Sequence, residues 1–238
     1  MSVIAGMLLM ASCGDGTKSS QGAAGQPESS FDERAFADLQ ILSYEVPGWD
    51  QLTLKQKELA YYLYEASLAG RDIIYDQRNK HNLLVRKTLE GIFSSYTGSK
   101  TGKDWDALQT YAGRIWFSNG MHHHYANDKI MPDFSFEYFS AVVKNTPAES
   151  LPLQEGETAD QLLSSLKQIM FDKNYMPKMV DLRSGIDNVV SSANNFYEGV
   201  TAKEVEDFYA KFPHSDREPE WGLNSKVVKE NGQLTEKV

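Results

Sequence analysis

Three times in this chain a threonine is followed three residues later by Gln or Glu, and then by apolar residues at helical spacing. The signatures are Thr53-x-x-Gln56, Thr158-x-x-Gln161 and Thr201-x-x-Glu204. In such a capping box the hydroxyl and the third side chain satisfy backbone N–H groups that a helix start leaves open. Each box therefore fixes where a helix begins, and the spacing after it fixes which side faces inward. After Thr53, the residues Leu59, Leu63, Ala66 and Ile73-Ile74 predict one helix, with one apolar face, to about Tyr75. After Thr158 the inward residues are Leu162, Leu166 and Ile169. After Thr201 they are Val205, Phe208 and Phe212.

Further helical periodicity runs from His81 to Tyr96, through Leu84, Thr88, Leu89, Ile92 and Phe93, with His81 read as a surface residue. Asp104 is expected to cap a helix with Leu108, Tyr111, Ala112, Ile115 and Trp116 inward, and Ser135 to Val143 forms a short one. Thr97 to Gly102 is a loop without a phosphate-binding signature, which discounts nucleotide binding. Strand signals are fewer. Phe31, Ala35 and Leu39 have helical spacing, yet Leu39 to Val46 alternates as a strand would before the Pro47-Gly48 turn. Val189 to Tyr197 suits either state. Ser225 to Val238, with Asn231-Gly232, reads as the start of a hairpin whose second strand has barely begun, so the last residues are expected to be loosely held. The fold class that results is α+β, mainly helical.

The N-terminus is of another kind. Val3 to Ser12 is apolar, ends in small residues before Cys13, and is too short to span a bilayer. Leu9-Met10-Ala11-Ser12-Cys13 has the form of a bacterial lipoprotein cleavage box, so residues 1–13 are read as a lipoprotein signal with Cys13 the lipidated residue. Residues 14–30, rich in Gly, Ser, Gln and Ala, cannot bury enough surface to order themselves and read as a flexible tether. The organisation predicted is thus 1–13, 14–30 and a folded part over 31–238, held by a lipid anchor in the cell envelope of a Gram-negative bacterium (periplasm or outer membrane). The single cysteine excludes an internal disulfide framework, and the net charge of -9 argues against a nucleic-acid partner.

Chemistry concentrates in Ile115-Trp116-Phe117-Ser118-Asn119-Gly120-Met121-His122-His123-His124-Tyr125 and the following Asn127-Asp128-Lys129-Ile130-Met131-Pro132. Neighbouring residues on a helix point about 100° apart, so three consecutive histidines cannot chelate one ion from a single helical face. A metal site is thus the least favoured of three readings, the others being a polar helix terminus with satisfied histidines and the wall of a cleft that touches a ligand.

This motif resembles the dipeptidyl peptidase III family of zinc peptidases, and in particular its bacterial, Bacteroidetes-type members. Six further blocks agree in order: Tyr44 to Trp49, Leu52 to Leu59, Gly70 to Ile73, Pro152 to Gly156, Tyr197 to Thr201, and Gly222 to Lys226. The resemblance runs from about Leu39 to the last residue. It implies an exopeptidase that releases dipeptides from the N-terminus of oligopeptides, with two lobes flanking a cleft. This chain would supply the N-terminal portion of the lower lobe, with part of a β-barrel. The resemblance also makes Tyr125 an aromatic lining the pocket for the peptide's first residues, with Asn119 and His123 beside it as substrate-binding candidates.

The zinc motif is another matter. Neither His-Glu-x-x-His nor the family's His-Glu-x-x-x-His occurs here, and no Gly-x-Ser-x-Gly or Cys/His nucleophile replaces it. The chain therefore carries no catalytic residue and no metal ligand of its own. It reads as a fragment of an enzyme whose zinc belongs to the full-length protein. The competing reading is a non-catalytic helical surface lipoprotein that binds a partner or glycan.

Overall fold

The computed structural model describes residues 34–42, 45–212 and 225–237, so Cys13, the tether and Phe31 lie outside the described residues. Within them the fold is mixed α and β, with helices taking up about half of the residues. A short hairpin comes first: β1 (Arg34–Phe36) pairs antiparallel with β2 (Leu39–Ile41). The helical spacing around Ala35 does not produce a helix, because Ala37 at φ 53 reverses the chain after three residues.

Thr53 closes a complete capping box at the start of α1 (Leu54–Ala69), with the Gln56 side chain accepting from the Thr53 N–H at 2.8 Å. The predicted single helix is in fact two. Gly70 ends α1, and α2 (Arg71–Arg78) starts directly after it. No residue of α1 is buried, contrary to the inward face expected of it: Leu59 is 59% and Tyr62 68% exposed. The reason lies in the helix itself. Leu54, Leu59, Tyr61, Tyr62, Leu63 and Tyr64 surround its axis, so no single stripe directs it onto the body.

Next come α3 (Asn82–Ser95), α4 (Lys103–Phe117), α5 (Phe136–Lys144) and α6 (Ala159–Leu166), which enclose the main core. Leu89 and Ile92 of α3, Leu108 and Ile115 of α4, Phe139 of α5, and Leu162 and Leu166 of α6 are all fully buried. Each such side chain stabilises the fold by roughly 1.5–3 kcal/mol. α3 also accepts close backbone approach. A Cβ at Gly91 would lie 2.0 Å from the Ser150 carbonyl oxygen, so only glycine lets the Ala148–Ser150 turn seat there. α4 opens at Lys103 without a side-chain cap, so Asp104 stands inside its first turn rather than capping it. α6 keeps its predicted box and continues into a π-turn at Lys167–Phe171, which turns Ile169 and Met170 inward.

A second, smaller core lies toward the C-terminus. The four-residue α7 (Asn188–Ser191) is followed by β3 (Tyr197–Glu198) and by α8 (Ala202–Tyr209), again with its capping box intact. β4 (Lys226–Glu230) runs parallel to β3 and antiparallel to β5 (Gln233–Lys237), and Val200, Val205 and Val227 pack together over this sheet. The expectation of a barely begun second strand is corrected here. Asn231 at φ 50 and Gly232 at φ 79 make a two-residue turn, and five residues on each side pair in register. Among the described residues no helix is long and apolar enough to cross a membrane.

Candidate functional site

The site is assembled where α4 stops. Asn119 takes φ 50 and Gly120 φ 141, and their N–H groups return to the carbonyls of Trp116 (3.3 Å) and Ile115 (2.9 Å). This is the Schellman arrangement, and it satisfies carbonyls that the helix end leaves open. Gly120 is required for a second reason: a Cβ there would meet the Asn82 amide at 2.2 Å. Asn82, fully buried, accepts from the Met121 N–H (2.9 Å) and donates to the Tyr75 carbonyl (3.0 Å), joining α2, α3 and the chain leaving α4.

From Met121 the chain runs out and back as a pinned loop. Ile130 N–H donates to the Met121 carbonyl at 2.8 Å and His123 N–H to the Asp128 carbonyl at 2.8 Å. Asn127 at φ 60 makes the reversal. The far side is held as well, by Lys129 N–H on the Pro177 carbonyl (3.0 Å) and Met179 N–H on the Asn127 carbonyl (2.9 Å). The Lys129 ammonium donates to the carbonyls of Asp172 (2.6 Å) and Tyr175 (2.9 Å), and burial lowers its pKa to about 8. Tyr125 sits at the tip, 83% exposed.

The three histidines have three different lives. His122 is buried to 1% exposure and its Nε2 donates to the Met176 carbonyl at 2.8 Å. Burial pulls its pKa down to about 4, which keeps the ring neutral. His123 is spent on the loop: its Nδ1 accepts from the N–H groups of Tyr125 (3.2 Å) and Ala126 (3.1 Å), and its Nε2 faces Asp38 at 3.7 Å. Asp38 is clamped in turn by Arg114 at 2.7 and 3.1 Å. A backbone N–H, and then that guanidinium, hold its carboxyl below the usual range. His124 lies between rings, with centroids 5.0 Å from Phe117, 4.5 Å from His123 and 4.5 Å from Tyr125. Burial, and then the His123 charge, lower its pKa.

Of the residues named from sequence, Tyr125 and His123 come together through the backbone of one loop, and Asn119 stands in the turn that starts it. Tyr125 presents an open ring. Asn119 contributes its left-handed backbone, and His123 gives both ring nitrogens to the chain's own structure. His81 is not a surface residue: it is half-buried with Nε2 2.9 Å from the Tyr175 hydroxyl. Asn82, Asp38 and Arg114 were not legible as site residues. Asp38 and Arg114 are 76 residues apart, and no local pattern announces that pairing. Among the described residues no three His, Cys, Asp or Glu side chains converge as metal ligands.

A separate pocket of about 350 Å³ opens beside β3, lined by Val189, Val190, Tyr197 and Val200, with Glu198 held between Lys80 and Lys226. No family model matches the chain, and no curated protein matches it significantly.

Proposed function

We propose that this chain is the N-terminal part of a zinc-dependent exopeptidase of the dipeptidyl peptidase III type. It contributes a wall of the peptide cleft in the lower lobe and leaves the metal and the proton transfers to polypeptide outside this chain. The ordered sequence blocks support that family. The observation that carries the peptide-binding role is Tyr125, an aromatic side chain held 83% exposed at the tip of a loop pinned on both sides. A large ring left open on rigid backbone loses little entropy when it meets a ligand, and its face and hydroxyl suit a peptide side chain and backbone. Tyr125→Ala in the zinc-loaded longer enzyme is expected to raise KM on the order of tenfold or more, the scale of one lost pocket contact. Zinc content and melting temperature stay unchanged. Unaltered peptide kinetics in that variant would remove Tyr125 from the site.

A non-catalytic lipoprotein that binds a glycan is the second reading. The ring series Phe117, His124 and Tyr125 favours it, since sugar faces also stack on open aromatic surfaces. Release of dipeptides by the longer protein decides for the peptidase. In either reading the chain is held at the cell envelope through a lipid on Cys13. Cys13→Ala is then expected to move the protein from the membrane to the soluble fraction, and unchanged fractionation would reject the anchor.

A further inference from the structure

The open apolar surface of this chain is concentrated in one region. Most of the large apolar side chains exposed among the described residues lie between Ile41 and Ile74, and α1 carries the densest run of them. Successive residues on a helix turn by about 100°. Leu54 (72% exposed) and Tyr61 (57%) therefore share one side of α1, and Leu59 (59%) and Leu63 (62%) stand on the opposite one. Tyr62 and Tyr64 fill the flanks between them, 68% and 59% exposed. Lys57, Glu58 and Glu65 stand among Leu54, Tyr61 and Tyr62, so the charged residues have no face of their own. The described residues cover little of this helix: Trp49 lies 5.7 Å from the Lys57 ammonium, and α2 follows from its end at Gly70.

Apolar side chains on opposite sides restrict what can cover the helix. One stripe of a 16-residue helix is about 24 Å long and about 10 Å wide. A second copy laid along it would cover roughly 240 Å² per partner, against about 800 Å² in a stable complex, and would leave the other side in water. A lipid surface takes a helix with one apolar and one charged face, which α1 lacks. A helix that is apolar all round belongs in an interior, and only polypeptide closing on it from more than one side makes one. We infer that α1, with the exposed Ile73 and Ile74 of α2 beside it, is the seat on which further polypeptide of the same longer protein packs. The source of that polypeptide rests on the reading of this chain as part of a longer enzyme. Its surface must be apolar and must bring acceptors for the hydroxyls of Tyr61, Tyr62 and Tyr64 once they leave water. The seat also reaches the site, because α2 continues from α1 and the Tyr75 carbonyl holds Asn82 at the base of the Tyr125 loop.

The test uses single thiols. Cys13→Ser removes the one native cysteine, and Leu54→Cys or Leu63→Cys then places a reporter on one or the other side of α1. Each variant is labelled with a maleimide in this chain and in the longer protein. The expected result is rapid labelling at both positions in this chain. In the longer protein both are slowed on the order of a hundredfold or more, because a covered thiol reacts only through local opening. Unfolding in urea restores the rate. Equal rates in the two proteins at either position overturn the inference. Slow labelling of this chain alone also overturns it. If that slowing is independent of concentration, the chain covers α1 itself. If it grows with concentration, a second copy does, and if it appears on adding phosphatidylglycerol vesicles, a lipid surface does. Should a cysteine variant of the longer protein fail to fold, hydrogen exchange of the α1 amides in the unsubstituted proteins decides, and exchange as fast in the longer protein as in this chain overturns the inference. Covered thiols in a protein that releases no dipeptides would sink only the peptidase reading. Dipeptide release with both thiols open would sink only this one.

Discussion

His122 carries a protonation penalty that the folded chain cannot avoid. Its ring is buried, one nitrogen donates to a carbonyl, and burial holds its pKa at about 4 against an ordinary 6.5. The unfolded chain takes up the proton near pH 6.5, while the folded chain refuses it until about pH 4. Stability is therefore fully present above pH 6.5 and is lost as pH falls through that window, by about 3 kcal/mol in all for a shift of this size. Urea midpoints measured at pH 7 and pH 4.5 are expected to show the loss. His122→Gln is expected to flatten the slope between them, though it lowers stability at pH 7. The carboxylates held low by hydrogen bonds, Asp38, Asp181 and Asp187, add their losses further down the pH scale. A slope unchanged in His122→Gln would place the titrating group elsewhere.

The three capping boxes are chemically alike, but their helices are not. Thr158 starts α6, whose Leu162, Leu163 and Leu166 are core residues, so fraying its first turn loosens the main core. Thr53 starts α1, which buries nothing. Thr158→Ala is expected to lower global stability by about 1 kcal/mol, the usual worth of an N-cap. Thr53→Ala leaves the unfolding midpoint in place and instead speeds hydrogen exchange along α1, since that helix can open without the rest. Equal global losses in the two variants would mean that α1 unfolds together with the core. Elements also differ in what ends them. Gly70 divides a helix that apolar spacing alone would have carried on, because glycine gives up more backbone entropy in a helix than any other residue.

At the scale of the molecule, the described residues form a helical core, a small valine-lined sheet region, a short N-terminal hairpin and one apolar helix, α1, of which no residue is buried. Leu59, Tyr62 and Leu63 on α1 are joined by Ile73 and Ile74 on α2 as exposed apolar side chains. Exposed apolar side chains spaced three and four apart, as Leu59, Tyr62 and Leu63 are, share one helix face and favour association in water. Leu59→Glu with Leu63→Glu is expected to raise solubility and reduce dye binding to exposed apolar surface, while the melting temperature changes little, because neither side chain leaves a cavity. A large drop in melting temperature would show that these leucines pack on the body in solution. The C-terminal sheet is self-contained by comparison, with β4 paired on both edges and Val227 and Val228 buried.

What the sequence determined by itself is the set of local choices whose causes lie within a few residues. The boxes at Thr53, Thr158 and Thr201, the short helix after Ser135, the Asn231-Gly232 turn, the inward faces of α3 and α6, and that of α4 except for the exposed Trp116 are of this kind. Capping, turn geometry and periodicity act over one or two turns of chain, so a pattern of residues is enough to specify them. The site was legible as a place, the polar end of α4, but not as an arrangement. Only the tertiary structure decided that His122 is buried, that His123 serves its own loop, that Asp38 meets Arg114 and that the Arg78 Nη2 is buried without an acceptor among the described residues. It also decided that α1 stays outside and that β3 pairs with β4 across 30 residues. Burial and pairing at that range depend on which surfaces meet, and no residue's neighbours in sequence carry that information.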